Sequence, residues 1–311
     1  MTSGEGSVFR AGLRSHPRIA WGSAALPARR FERIVSLVPS LSEALVALGL
    51  GDRLVAVTEY CVEPPGAFVE LPRVGGTKDA DVAAIRALRP DLVIANQEEN
   101  TARVVRALAD AGSDVWVTYP RSVREGADLL RDLAALGASA QARAEVVEPV
   151  FASLAGAEAR RAEARASGVP PARVFCAIWR DPWMTIGRDT YVHDLIALCG
   201  GANVFADGPE GPGPRRDQDE GVRVAPGAAS GAARRYPIVD REAIERARPD
   251  VILLPSEPYA FSERDRAELL GLACPAAASS RVHLIDGTLV SWYGPRIAEA
   301  IRVLGMLLAT S

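Results

Sequence analysis

Aromatic and charged side chains cluster in short stretches that directly follow apolar runs of the chain. Residues 179–183 read Trp-Arg-Asp-Pro-Trp, residues 96–100 read Asn-Gln-Glu-Glu-Asn, and residues 291–293 read Ser-Trp-Tyr. Flat aromatic faces beside guanidinium, amide and carboxylate groups suit a flat, partly polar small molecule. Three of the five tryptophans fall in these stretches. The pattern therefore indicates non-covalent binding in loops that follow strands.

The sequence shows no signature of covalent catalysis or of a structural metal. We find no GxSxG elbow and no HExxH pair, and residues 75–78 (Gly-Gly-Thr-Lys) lack the spacing of a phosphate-binding loop. The four cysteines are far apart and form no CxxC pair, which favours reduced thiols. Cys61 follows Tyr60 in a loop and could contact a metal, but a small buried thiol is the simpler interpretation. His193 and His283 are expected to be structural.

Composition limits the possible partners. The chain has 311 residues, 48% hydrophobic and 24% charged, and a net charge of −3. No run of basic residues interleaved with aromatics occurs, so nucleic acid is not expected as a partner. No apolar span of about 18 residues is present, so no membrane insertion is expected. Residues 1–30 lack the apolar core of a secretory signal, and we predict a disordered tail and a cytoplasmic location.

The elements that must position the polar loops are repeated within the chain. Residues 84–95 (Ala-Ile-Arg-Ala-Leu-Arg-Pro-Asp-Leu-Val-Ile-Ala) return in closely similar form as residues 243–254. Each copy reads as a helix end, a proline that cannot continue the helix, an aspartate and a strand buried on both faces. Asp81 and Asp240 stand before the copies, where a carboxylate can cap a helix. The chain is therefore predicted to contain two similar lobes.

Alternation of strands and helices predicts an α/β fold of two Rossmann-like lobes with central, mainly parallel sheets. We expect lobes over residues 31–137 and 170–311, joined by a long linking helix over residues 138–169. Pro149 should bend that helix or start its second segment. Residues 207–235 are rich in Gly, Pro, Arg and Ala without apolar periodicity, which predicts a mobile insertion.

Several motifs, in order, resemble the helical-backbone metal-receptor superfamily, the class III substrate-binding proteins of cobalamin and iron-siderophore importers. The resemblance covers residues 33–309 and rests on residues 36–40 (Ser-Leu-Val-Pro-Ser), both Arg-Pro-Asp segments, Gly187, and residues 199–205 (Cys-Gly-Gly-Ala-Asn-Val-Phe). Within the superfamily, the chain is most similar to a branch without secretion signals. The resemblance implies a periplasmic-binding-protein-like fold, related to ABC transporters, with the ligand held between two lobes.

In such a fold the ligand lies against loops that leave the carboxyl ends of the strands. The candidate ligand-binding residues in these loops are Pro39, Tyr60, Asn96, Gln97, Glu98, Tyr119 and Arg121 in lobe one, and Trp179, Arg180, Asp181, Trp183, Ser256, Glu257, Tyr259, Ser291, Trp292 and Tyr293 in lobe two. The resemblance implies a corrinoid or related metal chelate as the ligand. No catalytic or metal-ligating residue and no required cofactor is predicted.

Each candidate also has a structural interpretation. Trp179, Trp183 and Trp292 could be core residues, and Arg180 and Asp181 could form an ion pair that holds their loop. Glu98 and Glu99 stand at a predicted helix start, where carboxylates are favoured by the helix dipole. If Trp183 and Trp292 line the cleft, alanine variants should lose binding and keep their melting temperature.

Three functions remain open from the sequence. The first is a cytoplasmic protein that binds a corrinoid, an iron-siderophore or haem. The second is an enzyme that reuses the cleft, with Asp181, Glu98, Glu257 or Asp286 as acid or base. The third is a scaffold that binds a partner through residues 207–235.

Docking to an importer permease is doubtful on sequence grounds. Importer members of the superfamily carry an acidic residue at the start of each lobe's repeated helix, and this chain has Ala83 and Glu242 there. Losing one of two interface charges should weaken such docking.

Overall fold

The structure is a computed structural model that describes residues 13, 15–22, 26, 29–208 and 234–309. Lobe one contains β1 (Ile19–Trp21), β2 (Ile34–Ser36), α1 (Pro39–Ala47), a 3-10 turn (Gly51–Arg53), β3 (Leu54–Val57), α2 (Val82–Ala87), β4 (Leu92–Asn96), α3 (Ala102–Asp110), β5 (Val115–Thr118) and α4 (Val123–Ala135). All its strands pair in parallel, in the order β1-β5-β4-β2-β3. Apolar residues bury both faces of this sheet, as expected for parallel strands.

A helical stretch joins the lobes. It consists of α5 (Ala140–Ala142), a π-helical turn (Arg143–Val147) and α6 (Glu148–Ala166). Pro149 lies in the first turn of α6. It closely follows the π-helical turn of one continuous helical stretch, where the ladder of backbone hydrogen bonds is already interrupted and a residue without an N–H is accommodated.

Lobe two contains β6 (Ala172–Trp179), β7 (Met184–Thr185), α7 (Tyr191–Leu198), β8 (Gly201–Asn203), α8 (Arg241–Ala247), β9 (Val251–Pro255), α9 (Glu263–Leu270), α10 (Pro275–Ala278), β10 (Val282–Ile285), α11 (Thr288–Ser291) and α12 (Ile297–Leu308). The strand order is β10-β9-β6-β7, with β8 also paired to β6. Only the β6–β7 pairing is antiparallel among the pairings described. The predicted α/β class with two mainly parallel sheets is confirmed.

Residues 13, 15–22, 26, 29 and 30 of the predicted disordered tail are described, and some of them pack on lobe one. Within them, β1 pairs in parallel with β5, and the Arg18 guanidinium lies 2.9 Å from the Asp114 carboxylate. Leu13 is 1% exposed. The reason is local, because Ile-Ala-Trp at residues 19–21 is a short apolar run that can extend an open sheet edge. Of the predicted insertion at residues 207–235, residues 209–233 lie outside the described part of the chain.

The Arg-Pro-Asp repeat makes the same contacts in both lobes. The Asp91 carboxylate accepts the backbone N–H of Arg33 at 3.0 Å, and the Asp250 carboxylate accepts that of Arg173 at 2.9 Å. Each arginine side chain in turn donates to a carbonyl at the end of the repeated helix, α2 at 2.8 Å and α8 at 2.6 Å. These carbonyls have no partner inside their helices. The repeat therefore fastens each helix end to the amino end of the neighbouring strand.

The repeated helices also begin and end alike. Asp81 accepts backbone N–H groups at the start of α2, and Asp240 does so at the start of α8. Arg89 and Arg248 follow the helices with φ of 48° and 46°, a left-handed conformation that turns the chain toward the strand.

One hydrophobic core is shared by the two lobes and the linking helix. It includes Leu130 of α4, Leu154 of α6 and Leu304 of α12. Gly126 of α4 allows a close approach, because a Cβ there would lie 3.2 Å from the ring of Tyr191 in lobe two. Burial of this kind is the main stabilising term in folding, so the lobes are held together at their base by packing.

Candidate ligand cleft

Loops from the carboxyl ends of the two sheets face each other above the shared core. At one side, a loop after β4 contacts the segment that leads to residue 238, which bridges to β7. At the other side, α1 and a loop after β3 contact the start of α12. Open α/β sheets bind ligands at this edge. The candidate cleft therefore lies between two direct contacts, one on each side.

We call the first contact the Arg235 bridge, made by Glu98, Arg235 and Tyr236. Arg235 Nη2 and the Tyr236 hydroxyl donate to the same oxygen, Glu98 Oε1, at 2.6 and 2.7 Å. The guanidinium also lies 5.3 Å from the centre of the Tyr119 ring. Burial and the nearby Glu98 carboxylate raise the pKa of Tyr236, so its phenol stays protonated and able to donate.

We call the second contact the Arg296 bridge, made by Arg296 with Glu43 and Glu63. Arg296 Nε lies 2.9 Å from both carboxylate oxygens of Glu43, and Nη2 lies 3.3 Å from Glu63 Oε2. Its remaining nitrogen donates to Thr288 at 2.8 Å, and the Trp292 ring lies 5.0 Å from the guanidinium carbon. A planar guanidinium supplies donors in several directions at once, which suits this many-sided contact.

Three predicted aromatic side chains lie at or after the carboxyl ends of strands, and two of them are exposed. Trp179 is 44% exposed and packs edge-to-face against Tyr259, with ring centres 5.5 Å apart. Tyr60, from the loop after β3, is 61% exposed. An exposed aromatic ring offers a flat apolar face to a planar ligand. These three rings are the surface best suited to a flat ligand.

Other predicted aromatic residues lie in the core, contrary to the expectation that they line the cleft. Trp183 is 8% exposed and stacks on Phe261 with an interplanar angle of 6°. Trp292 is 8% and Tyr293 5% exposed, and Tyr293 packs edge-to-face on Tyr191.

Arg180 is structural, in line with the ion-pair alternative but with different main partners. Its guanidinium is bonded to Asp265 and Glu268 of α9, and it lies 5.4 Å from the centre of the Trp183 ring. Asp181 is more distant, at 3.7 Å, and its side chain is 89% exposed. The hydrogen bond to Asp265 raises the pKa of Arg180 above its ordinary value. Arg180 therefore fastens the loop of Trp179 to α9.

Two more predicted residues support the loop after β4. Asn96 is fully buried, and its Oδ1 accepts the backbone N–H of Glu98 at 2.7 Å. Its backbone N–H donates to Asn100 Oδ1 at 2.7 Å. Gln97 is also buried. These amides hold Glu98 in place rather than face a ligand.

The remaining predicted residues divide by position. Pro39 is buried in the first turn of α1. Arg121 follows β5, and its guanidinium carbon lies 5.8 Å from the centre of the Tyr119 ring. Ser256 accepts the backbone N–H of residue 287 at 2.9 Å, and the Ser291 hydroxyl donates to Glu257. Glu257 and Ser291 thus join two loops of lobe two on the cleft side.

Glu99 lies in the candidate site, although it was not among the predicted ligand-binding residues. Burial, and the carboxylates of Glu257 and Glu98 nearby, raise its pKa to about 8, although Lys78 opposes the shift. The carboxyl is therefore largely protonated at neutral pH. Adjacent glutamates in the sequence were a signal for this, but they fitted a helix start equally well. Nothing in the sequence pointed to Arg235, Tyr236 or Arg296.

The sulfur and metal chemistry considered from the sequence is not favoured by the contacts. Cys61 is buried, with its Sγ 3.2 Å from the hydroxyls of Ser42 and Thr58, and burial raises the pKa of its thiol. All four cysteines are free. Within the described residues no group of three or more His, Cys, Asp or Glu side chains could hold a metal ion, and no helix is long and apolar enough to span a membrane.

A separate shallow concavity of about 510 Å³ lies at the opposite edge of the first sheet. It is lined by Ala83, Arg86, Ala87, Arg89, Pro90, Ala111, Gly112 and Ser113. These residues precede β4 and β5, so the concavity is remote from the cleft.

Comparison with known proteins identifies the family of the chain. A model of the periplasmic binding protein family matches residues 34–269, more than half of the chain. The chain belongs to this family. The vitamin B12-binding protein of Vibrio cholerae is 32% identical over 176 residues, 57% of this chain and 62% of that protein. The one of Yersinia pestis is 32% identical over 182 residues, 58% of this chain and 63% of that protein.

Solved structures of the same fold cover more of the chain. The periplasmic vitamin B12-binding protein BtuF of Vibrio cholerae has a TM-score of 0.69 and 25% identity over 89% of this chain and 96% of its own. The periplasmic haem-binding protein RhuT of Roseiflexus sp. RS-1 has a TM-score of 0.65 and 26% identity over 89% and 97%. The predicted superfamily is thus confirmed.

The prediction of a cytoplasmic location is wrong in the light of these comparisons. The family is that of periplasmic binding proteins, and both solved relatives are periplasmic. The composition of residues 1–30 was a poor guide to location. The curated relatives are binding proteins rather than enzymes, although the match spans less than two thirds of their length.

Proposed function

We propose that this chain binds a corrinoid between its lobes, with Trp179, Tyr259 and Tyr60 contacting the macrocycle. The observations that carry the proposal are the exposed Trp179 and Tyr60 rings and the packing of Trp179 against the partly buried Tyr259, in loops that follow strands of both lobes. Aromatic faces gain from contact with a large planar ligand, and polar neighbours fix its orientation. The names of the relatives, vitamin B12-binding proteins, support the same ligand class.

Charge in the cleft favours a corrinoid over haem. Glu98, Glu99 and Glu257 lie close enough for the other two carboxylates to raise the pKa of Glu99. The amide side chains of a corrinoid can donate hydrogen bonds to the Glu98 and Glu257 carboxylates, whereas the propionates of haem carry no N–H donor for them. Haem is nevertheless a direct competitor for the proposal, because RhuT shares the fold.

The enzyme alternative has less support. Each of its candidate groups is already engaged or remote, since Glu98 is bonded in the Arg235 bridge, Glu257 to Ser291 and Asp286 to Thr288 at 2.7 Å. Asp181 is almost fully exposed. A general acid or base needs a free proton-transfer position beside the substrate. The scaffold alternative rests on residues 207–235, of which residues 209–233 lie outside the described part of the chain, and a deletion of the 207–235 segment tests it.

The docking partner stays a proposal. Glu242 is exposed at the start of α8 and lies 3.7 Å from Arg246, whereas Ala83 occupies the corresponding position in α2. Because the relatives are periplasmic, location no longer speaks against docking to a cobalamin permease. The missing charge on lobe one is the observation that still does. Stimulation of a reconstituted permease's ATPase by this protein would overturn that doubt.

A ligand panel tests the proposal. Cyanocobalamin, dicyanocobinamide, haemin and a ferric hydroxamate siderophore are titrated into micromolar protein, with tryptophan fluorescence and ligand absorbance as readouts. We expect saturable binding of the two corrinoids with Kd below about 10 μM. Binding of haemin alone would replace the corrinoid with haem, and no binding to any member of the panel would overturn the proposal.

A further inference from the structure

We propose that the Arg235 bridge is a latch between the lobes that slows release of a bound ligand, with Arg235 and Tyr236 as positioning residues. The inference rests on the proposed function, because it concerns a ligand held in the same cleft. The bridge connects the loop after β4 to lobe two through two direct hydrogen bonds to Glu98, while the Tyr236 ring packs against the shared core. Lobe separation at this side of the cleft therefore requires that its two hydrogen bonds break.

The lobe-two end of the latch is firmly anchored. The Gly187 backbone N–H donates to Arg235 O at 2.7 Å, and Arg235 Nε donates to Asp189 O at 3.1 Å. The segment runs so close to Gly187 that a Cβ there would lie 1.9 Å from Arg234 O. The next residues bond to β7, since Thr185 N–H donates to Pro237 O at 3.0 Å. Arg235 thus moves with the second sheet.

The lobe-one end is equally fixed. The buried Asn96 holds the backbone of Glu98 through the 2.7 Å bond described above, and the Lys78 ammonium donates to the Glu98 carbonyl. The Glu98 side chain is therefore presented from a rigid strand end rather than from a long loop. Because both ends are anchored, breaking the bridge should be felt as movement between the lobes.

The two bridges differ in how many groups hold them. Arg296 contacts two carboxylates of lobe one, and also Asp286 at 3.6 Å and Thr288 within lobe two. Arg235 contacts one carboxylate oxygen of lobe one. The contact with fewer bonds is the one that opens first, so the Arg235 side is the exit and the Arg296 side stays closed.

The latch is sufficiently desolvated to affect kinetics. The side chains of Arg235 and Glu98 are 22% and 27% exposed, and the guanidinium lies over the Tyr119 and Tyr236 rings at 5.3 and 5.4 Å. Truncating one partner of a partly buried, hydrogen-bonded charge pair acts mainly on the dissociation rate.

Stopped-flow measurement with cyanocobalamin tests the latch. Glu98→Gln and Arg235→Gln should each raise koff by about tenfold, leave kon within about twofold, and show no further increase when combined. The charge-swapped double variant, Glu98→Arg with Arg235→Glu, should recover part of the slow release. Arg302→Gln, which removes an exposed pair with Glu299 on α12, is the matched control and should leave koff unchanged. Unchanged koff in the two single variants, a faster kon without faster release, or additive effects would overturn the proposal.

Hydrogen exchange of the ligand-free protein separates this inference from the proposed function. Glu98→Gln should increase amide exchange in both residues 96–101 and residues 236–239, whereas Arg302→Gln should not. If wild-type protein fails to bind any member of the panel but the exchange increases on both sides, the proposed function fails and the contact between the lobes stands. Unchanged exchange in Glu98→Gln would overturn the latch whatever the ligand.

Discussion

The two ends of the sheets follow different rules. At the amino ends, the Arg-Pro-Asp repeat makes the same hydrogen bonds in both lobes, with Asp91 and Asp250 on equivalent backbone amides. At the carboxyl ends, lobe one supplies the carboxylates of the two bridges and lobe two supplies their arginines. The repeated end stabilises the fold, and the diverged end is where we propose that the ligand binds.

This difference explains why residue type alone is a poor guide to the site. Trp179 and Trp183 flank the same turn after β6, but the first is exposed beside Tyr259 and the second is stacked in the core on Phe261. Loops at the carboxyl ends of the strands have two roles, since some of their side chains cover the core and others are available to a ligand. Variants that affect either stability or ligand binding, but not both, test this difference between the two ends of the sheets.

The largest expected effect comes from Trp183→Ala. Removing a buried, stacked indole should lower the free energy of unfolding by about 3–5 kcal/mol. Trp179→Ala, four residues earlier, should cost less than about 1 kcal/mol in stability but weaken corrinoid binding by about 1–3 kcal/mol. Urea unfolding and ligand titration of both variants check this contrast. Equal stability losses in the two variants, or intact binding in Trp179→Ala, would contradict the assignment of the two rings.

An intermediate effect is expected at the repeated end. Asp91→Ala and Asp250→Ala each remove a carboxylate that accepts backbone amides, and each should cost about 1–3 kcal/mol in the free energy of unfolding. Asp91 should cost the more, because it also accepts the Glu32 amide at 2.8 Å. Ligand affinity should not change. The exposed Glu299→Ala is the control and should show no measurable loss of stability. A large loss in one variant and none in the other would break the equivalence of the lobes.

A pH-dependent effect is expected at Glu99. Its pKa in the folded protein is about 8, above the ordinary 4.5, so the folded state retains a proton that the unfolded state loses between these values. Stability from this group is complete below about pH 4.5 and falls as pH rises toward about 8. Glu99→Gln should therefore raise the melting temperature by at least about 2 °C at pH 8.5 and by little at pH 5. The same increase at both pH values would rule out the shifted carboxyl as its cause.

The fold could be predicted from the sequence because its signals are local and repeated. The apolar strands, the Arg-Pro-Asp segments and the capping residues Asp81 and Asp240 specify each unit within a dozen residues. The candidate site was predictable only as a set of loops. Whether Trp183 points inward depends on Phe261, and the partner of Glu98 is Arg235, so both outcomes depend on contacts across distant parts of the chain.

Edge strand β1 and the arginine bridges were missed for related reasons. Three apolar residues are too few to show the alternation of hydrophobicity that is typical of a strand. This strand is stabilised only by the sheet edge with which it pairs. Arg235 and Arg296 are two among many arginines, and nothing in their neighbours marks them. Their role depends on the approach of the lobes, which the shared core sets.

The most direct test of the account is the position of a bound corrinoid. Crystals grown with cyanocobalamin and measured at the cobalt absorption edge would locate the metal by its anomalous scattering, independently of any map of the protein. We expect a single cobalt peak between the Trp179–Tyr259 pair and Tyr60, bounded by the Arg235 and Arg296 bridges. A peak outside the cleft, such as in the concavity beside Arg86 and Arg89, or no peak at saturating ligand, would contradict it.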